Sequence, residues 1–261
     1  SLAAGRLRFA SDLVLADPKT LDDRRVVSTG FHAPSFDWSA DSKRLALSKD
    51  DDDFNTDVWI VDAEGVEALY NVSRHPDEDV APSWDPKGRF LVFASRDGLY
   101  QDYELTTVWL RKADYEKTAL DWEDEEEAKK EKGKGKDAPT SRPESGPASR
   151  PESGPATRPE SGPAEGAASR PEAESKPSKE DKKPKEKTKI ECDDLHKRVK
   201  RPTSGLGSRV APTVSPDGKS IAFLQTGPDS GLYLIDVEGK KKDKLQSLPA
   251  SDLLWIGDEL F

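Results

Sequence analysis

A motif that returns about every 45 residues limits what this chain can become more than any other feature. The run Phe36-Asp37-Trp38-Ser39-Ala40-Asp41-Ser42-Lys43-Arg44-Leu45-Ala46-Leu47 returns as Pro82-Ser83-Trp84-Asp85-Pro86-Lys87-Gly88-Arg89-Phe90-Leu91-Val92-Phe93, which puts Trp38 and Trp84 46 residues apart. A third copy reads Thr213-Val214-Ser215-Pro216-Asp217-Gly218-Lys219-Ser220-Ile221-Ala222-Phe223. A second motif follows the first: Asp57-Val58-Trp59-Ile60-Val61-Asp62 matches Ser11-Asp12-Leu13-Val14-Leu15-Ala16-Asp17 and Gly231-Leu232-Tyr233-Leu234-Ile235-Asp236. Asp17 and Asp62 are 45 residues apart.

A period of this size denotes a repeat architecture, and local chemistry selects which one. Pro216-Asp217-Gly218 between two β-rich runs is a turn, because Pro presets φ and Gly tolerates positive φ. The run after it alternates, which predicts a half-buried strand. The next run is nearly all apolar, which predicts a strand covered on both faces. It ends in Asp62-Ala63-Glu64-Gly65 or Asp236-Val237-Glu238-Gly239, a further turn. Four short strands in about 45 residues make a propeller blade. Helical repeats do not fit an apolar spacing of two with frequent turn signals. The fold class is therefore all-β, a partial β-propeller of four-stranded blades with three to four present. Residues 5–30 form the latter part of one blade, 33–73 a second, 80–203 a third and 209–247 a fourth, and 251–261 begin a fifth. Such a set does not close a typical ring, so the parent protein is expected to be longer. The absence of Met, at position 1 as elsewhere, points the same way.

The third blade carries an insertion. Only 33% of residues are hydrophobic and 35% are charged, against about 45–50% and about 25% in average globular chains. The excess charge concentrates in residues 114–189, a block with 19 acids, 17 bases and ten of the 20 prolines. Within it the octapeptide Ser141–Ala148 repeats at Ser149–Ala156 and, with Thr157 in place of serine, at Thr157–Ala164. An acidic run, Asp121–Glu127, precedes these repeats and a lysine-rich tail follows them. Within the octapeptide repeats, Pro every few residues blocks helix and sheet, and no large apolar residue is available for a core. The block is predicted to be a long disordered, solvated insertion, with docking of Pro-reading modules as the functional alternative. Loop closure costs only about 0.6 kcal/mol per doubling of length, so a hairpin tolerates it. The domain reading is 1–113 blades, 114–189 insertion and 190–261 blades continued.

The block is nearly neutral, so almost all of the formal net charge of −10 belongs to the blades. Phosphate binding needs a basic stripe, and none is visible outside the block, so nucleic acid is not an expected partner. No run of about 18 apolar residues occurs, and no membrane partner is expected. The single Cys192 excludes an internal disulfide framework.

The chain shows no Gly-x-Ser-x-Gly elbow, no Walker loop and no full dinucleotide loop. His32, His75 and His196 fall in or before predicted strands and are read as solvated or structural. Cys192 and His196 have the spacing of a metal pair, but two ligands do not make a zinc site. No catalytic set and no cofactor are assigned. A candidate metal loop remains in Asp51, Asp53, Asn55 and Asp57, which with Asp62 fall at positions 1, 3, 5, 7 and 12 of a calcium loop. Thr56 stands where that loop needs Gly, and Asp62 where it needs Glu. The plainer reading is an acidic hairpin. Trp38 and Trp84 are assigned to packing between blades.

The repeats Trp38-Ser39-Ala40-Asp41-Ser42-Lys43-Arg44-Leu45-Ala46 and Val214-Ser215-Pro216-Asp217-Gly218-Lys219-Ser220-Ile221-Ala222-Phe223 resemble the TolB-like propeller repeat. That repeat occurs in TolB scaffolds, in prolyl-oligopeptidase-type enzymes and in tricorn-type proteases. The strand Thr106-Thr107-Val108-Trp109-Leu110-Arg111 leads into the charged insertion. The chain resumes as Ile190-Glu191-Cys192-Asp193-Asp194-Leu195-His196-Lys197-Arg198-Val199-Lys200-Arg201-Pro202-Thr203. This passage resembles the tricorn-like family. The resemblance implies a non-catalytic propeller region that guides or gates peptides for a serine peptidase whose PDZ-like and protease domains lie elsewhere. It implies peptides or unfolded polypeptide as partners. No catalytic residue is carried over, because no segment matches the catalytic half. The rival readings are a TolB-like protein-binding scaffold and a prolyl-oligopeptidase-type propeller. Cytoplasm is the expected compartment with the periplasm as alternative, and homo-oligomer formation stays open.

Overall fold

The computed structural model describes residues 11–17, 19–20, 22, 25–30, 32–51, 53–63, 70–96, 101–118, 120–122, 124–125, 127–128, 188–247 and 253–261. Nearly all of the regular structure there is antiparallel β. Strands β1 (Ser11–Leu15) and β2 (Arg25–Gly30) pair in a hairpin. Strands β3 (Phe36–Trp38), β4 (Arg44–Asp50), β5 (Thr56–Asp62) and β6 (Tyr70–Asn71) form a four-stranded meander. A second meander has β7 (Asp79–Trp84), β8 (Phe90–Arg96), β9 (Tyr103–Trp109) and β10 (Val199–Lys200). A third has β11 (Arg209–Val214), β12 (Ser220–Gln225), β13 (Gly231–Asp236) and β14 (Lys242–Gln246). Strands β15 (Trp255–Ile256) and β16 (Glu259–Leu260) close the order as a short hairpin. These meanders are propeller blades, with boundaries where the repeats put them.

The turns between first and second strands are built as the motif predicts. In the fourth blade the Ser215 hydroxyl donates to Asp217 Oδ1 at 2.7 Å, and the Lys219 amide donates to the same oxygen at 3.0 Å. The second blade repeats this with Ser39, Asp41 and Lys43. In the third blade Asp85 takes the serine position and binds the Arg89 backbone and guanidinium. The last turn position has φ of +66° at Gly88, +68° at Gly218 and +58° at Ser42. First strands share a second device. Ala81 and Ala211, each before a proline, have φ of +53° and +50° and mark matching bulges in β7 and β11. The residue before proline normally prefers extended backbone, so recurrence at equivalent positions makes this a property of the repeat.

The half-buried second strand is corrected, and the doubly covered third strand holds for β5 and β9 but not for β13. The strand after each turn is buried on both faces, with β4, β8 and β12 nearly inaccessible, while β13 alternates. Phe90 and Val92 of β8 pack with Ile221, Phe223 and Tyr233 of the fourth blade. Leu91 and Phe93 point the other way, into Ala46, Val58 and Ile60 of the second blade. Likewise Leu45 and Leu47 pack toward Leu13 and Leu15. The second strand thus meets a neighbouring blade on each side. Small residues such as Ala46, Ala94 and Ala222 are fully buried there, on the face that alternation had left to solvent. Each fully buried large side chain contributes about 1.5–3 kcal/mol.

The insertion is bounded more tightly than 114–189. Helix α1 (Lys112–Tyr115) follows β9, and Asp114 is buried and paired with Arg111 and Lys117. Tyr115 and Trp122 pack on the apolar cluster between the third and fourth blades. At the far end Thr188 is buried, Leu195 lies fully in the core, and Ile190 packs beside it. The prediction missed these anchors because they are single residues within charged sequence. The octapeptide repeats lie outside the described residues. Contacts divide the chain into one unit of Ser1–Glu123 with Pro184–Phe261 and another of Asp124–Lys183.

Trp84 is buried at 4% exposure and its indole donates to the Asp37 carbonyl at 3.1 Å, as packing between blades requires. Trp38 is 40% exposed, which corrects its assignment to packing. Its neighbour Asp37 is the side of β3 that faces β7, accepting from the Trp84 amide at 2.7 Å, so Trp38 points away from that contact.

Candidate functional site

The hairpins joining second to third strands share one face with the links between blades. On that face a cleft of about 600 Å³ opens among the first three blades. Its walls are polar side chains fixed by their own partners.

One wall is the hairpin between β4 and β5. Asp51 Oδ1 accepts from the amides of Asp53 and Asn55, both at 2.9 Å, which folds the hairpin tightly. This leaves Phe54 at φ +63° and 67% exposed at the mouth of the cleft. Asp50 closes the hairpin. Its Oδ1 accepts from Thr56 Oγ1 at 2.7 Å, and its Oδ2 pairs with His32 Nδ1 at 3.0 Å. Burial alone would raise the Asp50 pKa, but the Thr56 hydroxyl and His32 outweigh it and hold the carboxyl below its ordinary value.

The opposite wall is the link that enters β7. Glu78 Oε2 accepts from the Tyr103 hydroxyl at 2.7 Å and from Arg96 Nη1 at 3.2 Å. The Arg96 guanidinium lies 5.9 Å from the Tyr103 ring centroid. Burial, and then the Glu78 carboxylate, push the Tyr103 phenol up to about 12. Arg96 Nε is buried with no hydrogen-bond partner. The floor is Ser35 and Ser48, whose hydroxyls lie 2.8 Å apart.

The candidate metal loop is dispersed. Asp51 caps its own hairpin, and the Asn55 amide donates to the His75 carbonyl at 2.8 Å. Asp57 is buried and turned toward the next link, accepting from Asn71 Nδ2 at 2.7 Å and Ser73 Oγ at 2.9 Å. Asp62 ends β5 at the opposite end of that strand. Among the described residues no group of three His, Cys, Asp or Glu side chains is placed to hold a metal ion. Cys192 is a free, exposed thiol, and His196 Nδ1 is buried without a partner.

The His32–Asp50 contact has the form of the base-to-orienter hydrogen bond of a hydrolytic triad. No hydroxyl among the described residues bonds the His32 ring. Ser35, which lines the same cleft, is engaged by Ser48 and by the Ala81 amide at 2.9 Å. The arrangement can bind polar groups.

Sequence reasoning passed over Asp50, Glu78, Arg96 and Tyr103. A signal was available. Asp50 and Arg96 stand at the same position of consecutive repeats, three residues past Leu47 and Phe93, and carry opposite charges.

No protein-family model matches the chain, and no curated protein sequence matches it. Solved structures similar to it include one described as "putative TolB from Agrobacterium tumefaciens". That similarity has a TM-score of 0.46 and 12% identity, over 85% of this chain and 51% of that one. Another is TolB from Acinetobacter baumannii, with a TM-score of 0.46 and 14% identity over 93% of this chain and 39% of that one. The chain therefore spans about half or less of the length of these structures.

Proposed function

We propose that this chain is a non-catalytic β-propeller module that binds extended polypeptide in the hairpin-face cleft. Within a longer protein it guides or gates peptides for a tricorn-like serine peptidase. The observation that carries the reading is the cleft itself. Its volume falls in the range of ligand sites. It presents an anion and a cation on facing walls, and Phe54 offers an apolar contact at the mouth. Such a surface suits a chain of mixed side chains with backbone donors and acceptors. The charged insertion and the passage Ile190–Thr203 tie the module to the tricorn-like pattern.

A second reading is a scaffold for a folded partner protein, favoured by Phe54 standing outward on a hairpin tip, since exposed aromatics act as interface anchors.

The test is fluorescence anisotropy with labelled, unstructured peptides about ten residues long, against wild type, Phe54→Ala and Arg96→Ala. Saturable binding that both substitutions weaken about tenfold supports peptide binding, the loss expected of an anchor residue. Absence of saturable binding for every peptide into the millimolar range removes it.

A further inference from the structure

Behind the cleft wall lies a carboxyl group with no use in the reading above. Asp79 begins β7, and its side chain is 0% exposed. Neither of its oxygens has a hydrogen-bond partner. Ser95 is its cross-strand neighbour, and the Ser73 and Ser95 hydroxyls face it. A second buried acid, Asp57 of β5, acts on it electrostatically.

The two acids are treated differently by their surroundings. Asp57 accepts from Asn71 Nδ2 and Ser73 Oγ, and from the His75 amide at 3.3 Å. Three donors suit an anion. No donor meets Asp79 in regular hydrogen-bond geometry; the Ser73 and Ser95 hydroxyls near it favour the anion, but burial outweighs them, since a poorly solvated buried anion is costlier than a neutral acid. Two like charges in one buried site do not both ionise readily. Burial and the neighbouring Asp57 therefore favour the neutral form of Asp79.

The two residues hold opposite ends of one link. Asp57 grips residues 71–75, and Asp79 is the point where the link enters β7. Between them stand Pro76, Asp77 and Glu78, which line the cleft. The charged and titratable groups around Asp79 are Asp57 from β5, His75 and Glu78 from the link, Arg96 from β8 and Tyr103 from β9.

We propose that Asp79 holds a proton in the folded protein, and that loss of this proton loosens residues 72–79 and with them one wall of the cleft. The cleft is then a pH-responsive site, tighter in mild acid than in mild alkali. This goes beyond the binding reading and does not need it, since the wall would respond with the cleft empty. Burial, chiefly, lifts the Asp79 pKa from 3.8 to about 6, consistent with that proton. The sign follows. The folded state binds the proton more tightly than the open state, so opening is favoured as pH rises from 3.8 to about 6, and no further above that.

The experiment is amide hydrogen exchange of the whole chain near pH 5 and pH 8, corrected for intrinsic exchange rates. Protection of residues 72–80 should fall about tenfold between the two, the ratio implied by pKa values of 3.8 and about 6. Protection of β8 should not follow. In Asp79→Asn the tenfold difference should vanish. In His75→Gln it should persist, which separates Asp79 from a titrating histidine. Should a variant not fold, the carboxyl carbon resonance of Asp79 in the wild type decides: it should titrate near pH 6. Equal wild-type protection at both pH values, loss of the response in His75→Gln, or an Asp79 carboxyl ionised throughout that range would overturn the proposal.

Discussion

Trp122 stacks on Trp109 with ring centroids 5.9 Å apart and planes inclined by 26°. Lys117 sits 4.1 Å from the Trp122 centroid, and Arg89 sits 5.2 Å from it. The start of the insertion is thereby fastened to the third blade. Trp122→Ala should destabilise the protein by about 1–3 kcal/mol, from the lost aromatic pair, its cation contacts and part of its apolar area. Thermal melting should report it. A change below about 0.3 kcal/mol would show that the anchor carries no stability.

The return of the insertion is fastened by Arg198. Its guanidinium donates to the carbonyls of Trp109 at 2.8 Å, Asp193 at 2.8 Å and Leu110 at 3.2 Å, and also to Glu191. Arg198→Met should cost about 2–4 kcal/mol, because buried carbonyls lose their partners. Arg198→Lys should recover little of that, since an ammonium lacks the planar fork. Denaturant unfolding of the three proteins checks both claims, and full rescue by lysine would refute the second.

The turn position shared by Ser42, Gly88 and Gly218 gives opposite expectations in different blades. A Cβ at Gly218 would collide with Asp85 Oδ1 and Arg89 Nη2 and sit at φ +68°. Gly218→Ala should cost about 2 kcal/mol or more. Ser42 already bears a side chain at φ +58°. Ser42→Gly relieves that strain but frees the unfolded chain, so a net gain below about 1 kcal/mol is expected. A Ser42→Gly protein as unstable as Gly218→Ala would show that the turns are not equivalent.

Carboxylates in the blades oppose one another in pH dependence. At Asp41, burial alone would raise the pKa, but the Ser39 hydroxyl and the amides of Thr188 and Lys43 outweigh it and hold it below 3.8. At Asp217, burial is likewise outweighed by the Ser215 hydroxyl and the Lys219 amide. Their stabilisation is present above pH 3.8 and is lost as pH falls through their folded values. Asp79 runs the other way, fully stabilising below 3.8 and no longer so above about 6. Stability should peak on the acid side of neutrality, between about pH 4 and 5. Melts across the pH range check it, and a steady rise from about pH 4 to pH 7 would contradict it.

Calcium should leave the melting temperature unchanged at millimolar levels, because Asp51 Oδ1 and both Asp57 carboxylate oxygens accept from donors inside the protein. A specific site would raise it through linkage. A shift of several degrees that magnesium does not reproduce would restore the loop as a cation site.

Much of the fold was legible because a propeller repeats its local chemistry. The turns at Ser39–Lys43 and Ser215–Lys219 and the apolar third strands are local, and each copy supports the reading of the others. The cleft was less legible. Asp50 and Arg96 look like ordinary strand-end charges until blades are set side by side. Thr188 and Arg198 are single residues beside charged sequence, and nothing local says that their partners lie in Asp41, Arg44, Trp109 and Leu110.

The sequence by itself determined the strand order, the turn types and the blade that carries the insertion. These depend on proline and glycine turn chemistry, which acts within a few residues, and on its recurrence about every 45 residues. Tertiary structure alone decided which side chains stand buried without partners and which meet across blades. Asp79 is one of several exposed-looking acids in the linear chain, and it becomes a proton holder only because β5, β8 and β9 close around it. Burial and pairing are set by groups distant in sequence, and the energies they control arise only once water has been excluded.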